Sequence, residues 1–177
     1  MVHQELQPVP ARSIAENMFL GRYPTINIGP LKVIDHKKME NEATKWLKEV
    51  KLNVNPNALL QTLSISQMQS VEIAKAVSMG AKIIILDEPT SALDIHNREQ
   101  IILILKEQLA KGKTLITVTH DYHLARELGG KMLVMYQGAI MEEGQVAKLL
   151  ESPSQTYSQD LILGNPYERL VRDDAGM

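Results

Sequence analysis

Apolar and polar positions recur along this chain with two periods, and the changes of period mark its elements. Between Lys37 and Val50, the residues Met39, Ala43, Trp46, Leu47 and Val50 fall near one face, which predicts a helix that ends before the break around Pro56. Ser13 to Leu20 reads as a shorter helix, with Ser13 as its N-cap and Glu16 completing a capping box. A further helix follows Ser66 and runs to about Met79. The apolar run from Lys82 to Asp87 then predicts a strand, Ile95 to Lys111 a long helix, and Thr114 to Thr119 a second strand. Asp121 to Leu128 is a short helix and Lys131 to Tyr136 a strand. Gln137-Gly138 turns the chain, Ile140 to Glu142 returns it, and Val146 to Glu151 forms a last helix. Met1 to Arg12 is expected as a strand stub and a loop, because Pro8 and Pro10 oppose a helix. Tyr23 to Leu31, with Pro24, Gly29 and Pro30, is expected as loop, and Ser152 to Met177 as an irregular tail. Strands that alternate with helices predict an α/β fold with a mainly parallel sheet covered on both faces.

Composition narrows the class. The 177 residues are 44% hydrophobic and 23% charged with a net charge of −2, an ordinary globular balance that offers no basic surface for nucleic acid. Cysteine is absent, which excludes disulfides and thiolate metal sites. No apolar run approaches the roughly 18 residues of a membrane span, and the Met-Val-His-Gln-Glu-Leu opening does not read as a signal peptide. Work at a membrane would need other subunits to hold the chain there.

The strongest chemical signal is Ile83-Ile84-Ile85-Leu86-Asp87-Glu88-Pro89-Thr90, a buried strand that ends in adjacent acids. Side chains at the carboxyl end of a parallel strand face the crevice where ligands bind. Asp87 is placed to hold Mg²⁺, which prefers carboxylate oxygens and keeps several waters. Glu88 would then orient or deprotonate an attacking water. Two solvated acids at a strand end are the plain alternative. Ser64-x-x-Gln67 and Ser66-x-x-Gln69 both fit a capping box, so a helix starts here, and a helix start suits an anion. A capped surface helix is the plain alternative for this segment. His120-x-x-His123 has helical spacing, but no third ligand makes a metal site of it.

Leu86-Asp87-Glu88-Pro89-Thr90-Ser91-Ala92-Leu93-Asp94 resembles the Walker B motif and D-loop of ABC ATPases, and Leu63-Ser64-Ile65-Ser66-Gln67 resembles their signature motif. His120 falls where the family has its switch histidine and Gln4 where it has its Q-loop glutamine. The resemblance covers about Met1 to Gly144. It implies the ABC cassette form of the P-loop NTPase fold, a mostly parallel sheet with a helical subdomain over about 13–79 and a core over about 80–151. It also implies ATP and Mg²⁺ as cofactors. Glu88 and His120 would be catalytic, and Asp87 and Gln4 would serve the metal. Ser64, Ile65, Ser66 and Gln67 would contact ATP held by an opposite cassette, with Asp94 acting between the paired cassettes. Membrane permease subunits, a second cassette and, indirectly, a solute-binding protein would be the partners, at the cytoplasmic face of the inner membrane.

Val2-His3-Gln4-Glu5-Leu6 and Ala15-Glu16-Asn17-Met18-Phe19-Leu20-Gly21-Arg22-Tyr23-Pro24 are similar to monosaccharide importers of the galactose/methyl-galactoside kind. Ile65 and Ser66 stand where the common signature has glycines, a departure such importers tolerate. Ser152-Pro153-Ser154-Gln155-Thr156-Tyr157 is instead similar to the tail of peptide-type cassettes.

None of the ten glycines begins the phosphate-cradling motif G-x-x-x-x-G-K-[ST], which the family places upstream of the Q-loop glutamine. Met1 is therefore expected to be an internal point of a longer ATPase. The strand Ile83 to Leu86 and the Thr114 strand are expected to carry exposed apolar surface and open edges. Two other readings stay open: a truncated cassette that only binds partners, and an ABC ATPase of translation or repair that transports nothing.

Overall fold

The computed structural model describes residues 8–91 and 93–163. The chain divides into two compact units, Met1–Ile116 and Thr117–Met177.

The first unit opens with α1 (Ile14–Met18), whose N-cap Ser13 and N3 residue Glu16 form the expected reciprocal capping box. The Ser13 N–H donates to Glu16 at 2.9 Å, and this bond is the main reason the carboxyl is held below its ordinary range. A hairpin follows, β1 (Thr25–Ile28) with β2 (Leu31–Ile34), paired antiparallel from Thr25↔Ile34 to Ile28↔Leu31. This corrects the expected loop over Tyr23 to Leu31. Gly29 and Pro30, which read as breakers, are the two-residue turn itself. Gly29 takes φ 60° at the first central position, where a type II′ turn needs a positive value.

Helices α2 (His36–Glu49) and α3 (Ile65–Ser78) pack on α1 and on each other. Met39, Ala43 and Leu47 recur every four residues and are buried, as are Val71, Ala74 and Val77 on the facing helix. Arg22 ties the end of α1 to the end of α3, donating to Met18 O at 2.8 Å and to Ser78 Oγ, with its guanidinium over the Phe19 ring. Between α2 and α3, a 3-10 turn, α3's approach, spans Leu60–Thr62.

Strand β3 (Ile83–Asp87) pairs with β4 (Thr114–Val118), and α4 (Ile95–Ala110) crosses between them. A strand–helix crossover of this length joins parallel neighbours. The sheet is not covered on both faces. Ile84 is 2% exposed, but Ile83 and Ile85 are 56% and 49% exposed, and Ile116 on β4 is 49% exposed. Among the described residues β3 has β4 as its strand neighbour, and both strands carry the exposed apolar surface expected of them.

The second unit is a hairpin, β5 (Lys131–Tyr136) and β6 (Ala139–Gln145), with α5 (Tyr122–Leu128), α6 (Val146–Glu151) and α7 (Thr156–Leu163). Gln137 and Gly138 turn the hairpin with φ 46° and 82°, the two positive values of a type I′ turn. Tyr122, Val146, Leu150 and Ile162 form its core. Helix α7 lies where an irregular tail was expected, and its docking explains it. Glu142 accepts from Ser154 N (2.8 Å), Ser154 Oγ (2.7 Å) and Gln155 N (3.2 Å) just before the helix starts. Tyr157 then packs on Tyr136 with ring centroids 4.6 Å apart, and Tyr122 Oη donates to Leu161 O at 3.2 Å.

Candidate functional site

The site is built first from β3. Five residues of extended chain, with Ile84 buried, end at Asp87, which is exposed. Glu88 follows, half-buried, with φ 46°. A non-glycine residue in the left-handed region costs on the order of 1 kcal/mol, so its surroundings must hold it there. Ser91 does part of that: its N–H (3.1 Å) and its Oγ (2.9 Å) both donate to Glu88 O. Pro89 and Thr90 are buried behind the bend, and Leu93 N donates to Thr90 O at 3.3 Å. The turn therefore begins at Glu88 itself, directly after Asp87.

Asp94 closes this turn as the N-cap of α4. Its Oδ1 accepts from Asn97 N at 2.9 Å and its Oδ2 from Asn97 Nδ2 at 2.8 Å. The Asn97 backbone N–H, more than any other group, holds this carboxyl below its ordinary range.

The second element is the start of α3. Its N-cap is Ser64, so the helix begins two residues earlier than the expected start after Ser66. The Gln67 N–H donates to Ser64 Oγ at 3.3 Å, and the Ser64 N–H donates to Gln67 Oε1 at 3.0 Å. Ser66 lies in the first turn with its hydroxyl 3.0 Å from that of Ser64. The capping box uses the N–H groups of Ser64 and Gln67. Those of Ile65 and Ser66 have no acceptor within a helix that begins here, and Ile65 and Ser64 are exposed. This leaves two N–H donors and one hydroxyl hydrogen of the Ser64–Ser66 pair at a positive helix end.

In the second unit, His120 is an exposed residue in the bend between β4 and α5. Asp121 shapes that bend, donating its N–H to Thr119 Oγ1 at 3.0 Å and capping α5 by accepting from Leu124 N at 3.1 Å. Gln4 lies outside the described residues.

These residues suit the cofactors expected of them. Mg²⁺ takes one or two carboxylates together with phosphate oxygens and water, and Asp87 presents one exposed carboxylate at a strand end. A phosphate takes N–H and hydroxyl donors, and the Ser64–Gln67 turn supplies both.

Asn17 was not singled out by sequence reasoning. It sits on α1 at 2% exposure and bonds the segment that follows Pro8. The available signal was a poor helix former inside an otherwise apolar helix face.

Comparison with known proteins bears on the family and the fold. The family profile described as ABC transporter matches residues 1–91. The galactose/methyl galactoside import ATP-binding protein MglA of Clostridium tetani is 40% identical over 138 residues, covering 78% of this chain and 27% of that protein. MglA of Treponema denticola is 40% identical over 147 residues, covering 83% of this chain and 29% of that protein. This chain thus spans little more than a quarter of the length of these relatives. Among solved structures, the dimeric ATP-binding cassette MJ0796 in a post-hydrolysis state, bound to ADP and Pi, aligns with a TM-score of 0.65 at 30% identity. That alignment covers 82% of this chain and 61% of the other. The α/β architecture is accordingly that of a P-loop NTPase cassette. With the profile spanning 91 of its 177 residues, this chain belongs to the ABC transporter family.

Proposed function

We propose that this chain is part of the ATP-binding subunit of an ABC importer that takes up a monosaccharide. The observation that carries this reading is β3, which ends in Asp87 and Glu88 at a sharp turn leading to Asp94. In this reading Asp87 binds Mg²⁺, directly or through water. Glu88 orients the attacking water and takes its proton. His120 donates to the terminal phosphate. Ser64 donates to the terminal phosphate of ATP bound by a second cassette, and Ile65, Ser66 and Gln67 contact the same nucleotide. Gln4 reaches the metal side of the site, and Asp94 acts where the two cassettes meet. When bound, Mg²⁺ supplies charge neutralisation of the phosphates.

The likeness to MglA proteins supports the sugar and the importer. Permease subunits, a second cassette and, through the permease, a solute-binding protein are the proposed partners, at the cytoplasmic face of the membrane. Among the described residues no helix is long and apolar enough to cross a membrane.

A second reading has its own observation. The sequence contains no G-x-x-x-x-G-K-[ST], and the outer face of β3 is open. By itself the chain is therefore proposed to bind ATP weakly and not to hydrolyse it. Turnover by the isolated chain that Glu88→Gln abolishes would overturn this.

The direct test joins a phosphate-loop segment of an ABC cassette upstream of Met1 and measures Mg²⁺-dependent ATP hydrolysis. The fusion is expected to turn over, and Asp87→Asn and Glu88→Gln are expected to lower the rate by about a hundredfold or more. A folded fusion that hydrolyses ATP equally well with either substitution would reject the assigned roles. Restored galactose uptake in cells that lack their own importer ATPase tests the solute.

A further inference from the structure

The segment Val9–Ser13 runs beside the segment that leads into Ser64, and backbone hydrogen bonds join them. Pro10 O accepts from Gln61 N at 3.1 Å and Arg12 O from Leu60 N at 3.0 Å, while Ile14 N donates to Ala58 O and Ala15 N to Pro56 O, both at 2.9 Å. Ser13 and Leu59 form an isolated antiparallel bridge between the same two stretches. From there to Ser64 the chain is hydrogen-bonded to itself. Thr62 Oγ1 donates to Leu59 O at 2.7 Å, and Leu63 N donates to Leu60 O at 3.1 Å.

One side chain shapes Val9–Ser13. Asn17 Oδ1 accepts from Val9 N at 2.7 Å, and Nδ2 lies 3.0 Å from Val9 O, 2.9 Å from Ser13 O and 3.3 Å from Arg12 O. The Arg12 carbonyl is the shared atom: it receives Asn17 from one side and Leu60 from the other. A primary amide is the group this position needs, because it must accept from one N–H and donate to several carbonyls at once.

We infer that Asn17 is a positioning residue that makes Val9–Ser13 and Pro56–Gln61 one body. It thereby sets the place of the Ser64 helix start relative to Val9–Ser13. The inference rests on the proposed nucleotide role of Ser64.

The test uses the full chain, whose lack of cysteine allows clean labelling. Ala11→Cys and Ile65→Cys, both at exposed positions, take nitroxide labels, and electron–electron distance distributions are compared with and without Asn17→Asp. Aspartate keeps the volume and loses the donors, so it separates hydrogen bonding from packing. The expected result is a narrow distribution that broadens in N17D, with amide exchange at Leu60 and Gln61 rising about tenfold and exchange in α2 and α3 unchanged. If N17D fails to fold, Asn17→Ser carries the same comparison. An unchanged distribution, or exchange that rises equally in α2 and α3, would overturn the inference. No nucleotide enters this measurement, so its failure is distinct from failure of the hydrolysis assay.

Discussion

Ser64 and Gln67 satisfy each other's backbone: the Gln67 N–H reaches the Ser64 hydroxyl at 3.3 Å and the Ser64 N–H reaches Gln67 Oε1 at 3.0 Å. The residue proposed to meet phosphate is thus also the N-cap of α3, so a simple deletion confounds two roles. Ser64→Ala is expected to lower stability by about 1 kcal/mol. Ser64→Asp keeps an acceptor for the cap and is expected to be as stable as the parent, while its charge repels phosphate. Urea unfolding reads the first effect, and photo-crosslinking to ATP held by a partner cassette reads the second. Crosslinking by S64D at the parent level would remove Ser64 from the nucleotide contact.

Acid should loosen α7. The hydroxyls of Ser158 and Ser154, with the N–H groups of Ser154 and Gln155, hold Glu142 at about 2, against an ordinary 4.5. The folded value lies below the ordinary one. Its contribution to docking α7 is therefore full above about 4.5 and lost as the pH falls toward about 2. Near-ultraviolet circular dichroism of the Tyr136–Tyr157 contact, followed from about pH 6 downward, should show this loss. Glu142→Gln should flatten the profile in that window and weaken the contact at neutral pH.

Gln108 is an unforced cost in α4. It is fully buried, and neither its Nε2 nor its Oε1 has a partner among the described residues. Burying an unsatisfied amide costs roughly 1–3 kcal/mol, and methionine has a similar volume. Gln108→Met is expected to raise the urea midpoint by an amount worth about 1 kcal/mol. A lower midpoint would mean that the amide has a partner in solution.

Local chemistry made much of this fold legible. Ser13 with Glu16 announces its helix because a capping box is complete within four residues, whereas Ser64 with Gln67 and Ser66 with Gln69 fit equally and leave the start of α3 open by two residues. The apolar run into Asp87 and the Gln137-Gly138 turn could be read for the same reason. The failures have causes that local reading does not see. Gly29-Pro30 reads as a break because nothing nearby says that Thr25–Ile28 and Leu31–Ile34 pair. Helix α7 was missed because its start is held by Glu142 on β6, from outside its own stretch of chain. In the candidate site, the acids and the helix start were legible as residues. The left-handed backbone of Glu88 and the reach of Asn17 were not, since both are set by neighbours brought in by folding.

The bare isoleucines on β3 and β4 also bear on how long such a chain survives in a cell. An uncovered apolar strand is what chaperones retain and quality-control proteases degrade. With Ile83, Ile85 and Ile116 in view, the amount of this polypeptide that persists is governed by whatever shields them. Making more of it alone would then chiefly feed turnover.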